Sequence, residues 1–226
     1  MKHTFWIIAL TVLLCIFSGC KAKSKTSSPE ENFSKEASYA LGMNVGASLK
    51  RDNLYPNMEE FIQGIKDVLS DTTPRYSDEE AFQIFSDAYS SLAEKREEKD
   101  KQTENDFLAE NSKKTGVIVT GSGLQYEVIS EGMGRKPTAN DTVRVHYEGT
   151  LADGTVFDSS YSRGEPIEFP LNGVIPGWTE GLQLMNVGSK YRFVIPSNLA
   201  YGSQGWQQIP PYATLVFQVE LLDIVQ

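Results

Sequence analysis

The chain has 226 residues, with 21 basic against 30 acidic side chains, a net charge of −9 and an isoelectric point near 4.8. That length admits one or two ordinary domains, and the acidic balance without a basic stripe argues against nucleic acid as a partner, which needs Lys and Arg to displace counterions. The cysteines, Cys15 and Cys20, and the distant histidines, His3 and His146, have no metal-ligand spacing.

At the N-terminus, Lys2 precedes an almost wholly apolar run at 5–17, followed by Ser18, Gly19 and Cys20. This is the layout of a secretory leader, too short for a comfortable membrane span. The "FSGC" ending resembles a bacterial lipobox, with Phe17 where Leu is commoner. The expectation is removal of residues 1–19 and lipidation of Cys20, which would tie the chain to a membrane in the cell envelope. Ordinary cleavage nearby is the alternative. Cleavage before Cys20 leaves one cysteine and no intrachain disulfide. Residues 20–35 are polar and aperiodic and read as a flexible tether.

Residues 36–51 place Leu41, Val45 and Leu49 at helical spacing, with Ser38, Gly42 and Gly46 in a second row of small residues. A second helix is expected after an N-cap at Asn57, with Phe61, Ile65, Val68 and Leu69 on its apolar side. A third follows a capping box at Ser77–Glu80 and carries Phe82, Phe85, Tyr89 and Leu92. Residues 94–106 then lack any apolar side chain. They read as a helix that bridges two bodies through solvent, with a disordered charged linker as the alternative. The apolar faces before residue 93 make a small core for one chain, so a homodimer through residues 36–92 is expected.

Composition changes at residue 115: 14 of the 18 glycines and 7 of the 10 prolines follow it. The second part alternates apolar and polar residues in short runs. Inward rows are Leu124, Tyr126, Val128; Val143, Val145, Tyr147; Tyr191, Phe193, Ile195; and Leu215, Phe217, Val219, Leu221. Asp153-Gly154 marks a hairpin. Trp178, Gly181, Leu182 and Met185 fit a short helix over the inner face of a curved antiparallel sheet. His146 is expected to face solvent. The fold class is therefore α+β, with domains at 36–114 (helical, with a long linker helix) and 115–226.

No nucleophile elbow, phosphate loop or dinucleotide glycine motif is present. What remains is aromatic and aliphatic: Tyr147, Phe157, Val174, Ile175, Trp178, Tyr201 and Phe217, several of them near turns or strand ends. Taken singly, each fits a core as well as a pocket.

The segments "VHYEGTLADGTVFDSS", "VIPGWTEGL", "LAYG" and "IPPYATLVFQVELL" resemble the signature segments of the FKBP family of peptidyl-prolyl cis-trans isomerases, in the family's order. "SYALGMNVG" and "GLQYEVISEG" resemble its Mip/FkpA-like branch, whose helical N-termini intertwine into a dimer. The resemblance implies a half-open antiparallel sheet wrapped around a short helix, and a catalyst of rotation about Xaa-Pro bonds that assists folding of cell-envelope proteins. It implies proline-containing polypeptides as partners and macrolides as inhibitors, with no cofactor or metal. The catalytic positions it implies are Tyr147, Phe157, Asp158, Trp178 and Tyr201: Trp178 as the floor under the proline ring, Tyr201 as hydroxyl donor and Asp158 as a buried polar group oriented by Tyr147. Substrate-binding positions are Ile167, Val174, Ile175, Ile209 and Phe217. Departures from the family pattern are Ile167, which thins one wall, Asn172-Gly173, which strips the rim, and Trp206 with Gln207 and Gln208 in a loop. A non-enzymatic dimeric chaperone or surface binding module using the same cleft is the alternative.

Overall fold

A computed structural model describes residues 32–70 and 72–225. The leader at 1–19, Cys20 and the tether as far as residue 31 lie outside them. The described residues divide between Ala81 and Phe82 into two compact units.

The first unit is helical. Helix α1 (Lys35–Arg51) is capped by Ser34, whose side chain accepts from the Ala37 N–H. Helix α2 (Met58–Leu69) starts at the expected cap: the Asn57 carboxamide oxygen accepts from the N–H groups of Glu59 and Glu60. Neither helix has a buried residue. Leu41, Val45 and Leu49 face Phe61, Ile65 and Leu69 across an apolar groove of about 820 Å³. Gly42 and Gly46 line it, and a Cβ on either would meet nothing within 4 Å. Among the described residues the two glycines therefore serve no close approach.

Helix α3 (Asp78–Ser112) begins at the capping box. The Ser77 hydroxyl accepts from the Glu80 N–H at 3.3 Å, and the Glu80 carboxylate accepts from the Ser77 N–H at 2.9 Å. The helix runs unbroken through 94–106, so this charged stretch is not a disordered linker. Nor does it merely cross solvent. Glu97 and Lys101 meet Tyr212, Glu104 holds Ser197, and Asn111, only 1% exposed, bonds to Gln125 and Arg192. The partners are polar, and hydrophobic periodicity does not register them. Composition changes at residue 115, but packing changes at residue 82.

The second unit is an open antiparallel sheet of seven strands. They are β1 (Val117–Val119), β2 (Gln125–Ser130), β3 (Thr142–Leu151), β4 (Val156–Ser159), β5 (Ile167–Pro170), β6 (Lys190–Ile195) and β7 (Leu215–Val225). Their order is β1-β2-β6-β7-β3-β4, with β5 also pairing β3. The two longest strands, β3 and β7, pair from Thr142↔Val225 to Leu151↔Leu215, with a shift between Arg144 and Val145. The expected inward rows of β3, β6 and β7 are all buried. On β2, Val128 is 40% exposed, beside a register shift between Val128 and Ser130. The β3–β4 hairpin turns at Gly154, whose φ of 89° suits glycine, while Asp153 accepts from the Thr155 N–H.

Two short helices complete this unit: α4 (Ser160–Arg163) and α5 (Pro176–Leu184). Helix α5 starts with proline in its first turn and buries Trp178, Gly181 and Leu182 against the sheet. A Cβ on Gly181 would lie 2.8 Å from the Phe193 ring, so glycine sets how closely helix and sheet approach. On the outer face, His146 does not simply face solvent. Its Nδ1 is 2.9 Å from the Ser160 hydroxyl and its ring stacks on Tyr161, because α4 folds back over that part of β3.

Candidate active site

The concave side of the sheet holds a cleft of about 510 Å³. Strand β3 contributes Tyr147, β4 Phe157 and Asp158, β5 Ile167 and Phe169, and β7 Phe217. The turn into α5 contributes Gly173, Val174 and Ile175, and its first turn Trp178. Tyr201 and Trp206 enter from the segment between β6 and β7. The sequence-predicted positions thus converge on one cleft, with one exception. Ile209 is 6% exposed and is absent from the lining: it bridges to Trp206 and belongs to the buried core.

Trp178 is 6% exposed and wedged among rings. Tyr147 meets it edge-on at 5.1 Å, Phe217 edge-on at 5.0 Å, and Phe169 at 5.3 Å in a tilted arrangement. Its indole N–H has no hydrogen-bond partner among the described residues. Phe217 in turn takes the edge of Phe157 at 5.5 Å. That contact depends on Gly149 of β3, where a Cβ would lie 2.6 Å from Phe217 and 2.7 Å from Phe157.

The polar end of the cleft is a triangle. The Tyr147 hydroxyl and the Arg163 guanidinium both donate to Asp158, one to each carboxylate oxygen. Arg163 also donates to the Tyr147 oxygen at 2.9 Å and lies over its ring. Arg163 reaches this position from α4, which Ser159 caps and Gly164 ends in left-handed conformation. Asp158 is not the buried group expected: its side chain is 41% exposed, and a cation as well as Tyr147 orients it. Burial raises its pKa, but the hydrogen bonds from Tyr147 and Arg163 and the nearby positive charge outweigh this and hold it below the ordinary value. Burial and the hydrogen bond to Asp158 push the Tyr147 phenol up to about 12, against the opposing effect of Arg163. Burial, then the charge of Asp158, raises Tyr201.

The departures have definite structural outcomes. Phe169, two residues along β5 from Ile167, supplies an aromatic wall that sequence reading missed. Its signal was the period of two that puts 167 and 169 on one face. Arg163 was missed because nothing in its own segment marks it as a partner of Asp158. At Gly173 a Cβ would meet only Pro170, at 3.5 Å, so the rim is open rather than blocked. Trp206 is 58% exposed, lines the cleft and stacks on Tyr201 with centroids 6.2 Å apart.

Residues 133–222 match the FKBP-type peptidyl-prolyl cis-trans isomerase family, and residues 34–128 match the domain amino-terminal to such isomerases. A relative named FKBP-type peptidyl-prolyl cis-trans isomerase FkpA, from Aeromonas hydrophila, is 43% identical over 227 residues, covering 90% of this chain and 84% of the relative. The outer membrane protein MIP of Legionella longbeachae is 38% identical over 195 residues, covering 83% of this chain and 84% of that protein. The crystal structure of FkpA from Escherichia coli superposes with a TM-score of 0.68 at 40% identity, covering 84% of this chain and 95% of that one. With the cleft inside one matched region and the preceding helices inside the other, the chain belongs to the FKBP-type peptidyl-prolyl cis-trans isomerases.

Proposed function

We propose that rotation about Xaa-Pro bonds takes place in the aromatic cleft, with Trp178 as its floor, Val174 and Ile175 as its rim, and Tyr201 as a hydroxyl donor to a substrate carbonyl. The rotation barrier of about 18–20 kcal/mol reflects amide resonance, which must be broken. A planar amide is more charge-separated than a twisted one. Walls such as Trp178, Phe157, Phe169 and Phe217 solvate the planar ground state poorly and disfavour the twisted state less. Asp158, held by Tyr147 and Arg163, fixes the polar end of the cleft. Macrolides, being large and apolar, would compete for the same surface.

The observation that carries this reading is the gathering of Tyr147, Phe157, Asp158, Trp178, Tyr201 and Phe217 around one cleft. Proline-limited refolding of a reporter protein is the test. Asp158→Ala and Tyr201→Phe should each lower kcat/KM by about tenfold or more, the range of single positioned groups. Full activity in both variants would remove these residues from the reaction.

The enzyme works in the cell envelope, anchored by lipid on Cys20, on proline-containing client chains. Support comes from the leader-like N-terminus with its "FSGC" ending and from a relative named as an outer membrane protein. Metabolic labelling with a fatty-acid analogue should mark the full chain and fail to mark Cys20→Ser. Equal labelling of both would exclude this anchor. The chain pairs as a homodimer through its N-terminal helices, since these expose an apolar groove that a second copy would fill.

A further inference from the structure

Glu97, Lys101 and Glu104 lie on one face of α3, at spacings of four and three residues. All three address the segment between β6 and β7 that carries Tyr201. The Glu104 carboxylate accepts from both the backbone N–H and the hydroxyl of Ser197, which is 5% exposed. Ser197 opens the single turn 197–199, closed by Leu199 N–H to Pro196 and Ala200 N–H to Ser197, each at 2.9 Å. Tyr201 follows at once. The second attachment is Tyr212. Its hydroxyl donates to Glu97 at 2.7 Å, and Lys101, paired with Glu97, sits 5.1 Å above its ring. Tyr212 has a φ of 55°, a left-handed conformation that a bulky residue adopts only when its surroundings impose it. Its backbone N–H donates to the carbonyl of Gly202, the residue after Tyr201. On the far side, Gln208 donates to the Phe157 carbonyl. The segment is therefore tied to the cleft wall at one point and to α3 at two.

We propose that α3 is a brace for the catalytic loop: Glu104 and Tyr212 are positioning residues that set Tyr201 against the cleft. Loops hold a reacting geometry only as well as their supports do, and charge-assisted bonds such as those of Glu104 are the stiffer kind. The brace rests on the assignment of Tyr201 to the reaction.

The test is a double-mutant cycle in the refolding assay, run on the full chain. Glu104→Ala should lower kcat about fivefold with KM within about twofold, the mark of an interaction used mainly in the transition state. Glu104→Gln keeps an acceptor for the Ser197 N–H and should stay within about twofold of the parent. Tyr212→Phe removes only the hydroxyl bond and should lower kcat in the same way, which keeps the proposal exposed should Glu104→Ala fail to fold. Glu110→Ala, on the same helix but paired with Lys113, should change nothing. In a Tyr201→Phe background, Glu104→Ala should have little further effect. Equal losses in both backgrounds, or no loss from either brace variant, would overturn the brace. An unchanged kcat/KM in Tyr201→Phe alone would instead sink the assignment of Tyr201, and its positioning with it.

Discussion

Tyr147, Asp158 and Arg163 fix one another's protonation. Asp158 has a folded-state pKa below its ordinary value. The stabilisation it contributes is therefore present at neutral pH and is lost as pH falls through that depressed value. Tyr147, at about 12, and the raised Tyr201 stay protonated well above neutrality. The kcat/KM profile should accordingly be flat between about pH 6 and 9, where none of these groups changes charge. A profile with a midpoint near neutrality would show that another titrating group takes part. At this scale the sequence was readable where a residue sits in a family segment, as Trp178 and Phe157 do. It was not readable where one residue depends on a distant partner. The resemblance implied a buried Asp158; its exposed position beside a cation was not legible, because Arg163 comes from a one-turn helix with no marker in the sequence.

Strands were the most legible elements. Strands β3 and β7 bury one face, and β6 does so until Val194, which is buried on the other side, so alternation identifies the inward rows. Caps were legible for the same local reason: Asn57 and Ser77 act on N–H groups two or three residues away. The docking of α3 was not, since Glu104 and Ser197 are 93 residues apart and neither is apolar. Helix α1 poses the opposite case, an apolar pattern that stays unburied among the described residues. In Gly46→Leu a better helix former would replace glycine, gaining somewhat less intrinsic helix stability than the gap of about 0.8–1 kcal/mol that separates glycine from alanine. Among the described residues a Cβ there meets nothing within 4 Å. Helicity should therefore hold or rise while the dissociation constant of the proposed homodimer rises about tenfold. Light scattering on a dilution series measures this, and an unchanged dimer would place the contact elsewhere.

For the whole molecule, the boundary between the two compact units falls within the sequence of helix α3 rather than in a loop. A catalytic fragment cut at the compositional boundary, residues 115–226, would strip cover from Gln125, which is only 4% exposed, and remove the partners of Ser197, Tyr212 and Arg192. A fragment of residues 82–226 keeps all of them. The shorter fragment should be less stable by about 2 kcal/mol or more, given about 0.5–1.5 kcal/mol net for each of these hydrogen bonds lost. Denaturant midpoints compare the two directly, and equal midpoints would mean that α3 adds nothing to the sheet.

The placement of the tryptophans also has an optical consequence. Of the three in the sequence, Trp6 lies within residues 1–19, while Trp178 forms the floor of the cleft and Trp206 its outer edge. A chain without its first 19 residues emits tryptophan fluorescence only from this cleft. One indole is sheltered and the other is open to quenchers. Whatever enters between them changes the colour and the quenching of the protein itself, so occupancy can be followed without a label.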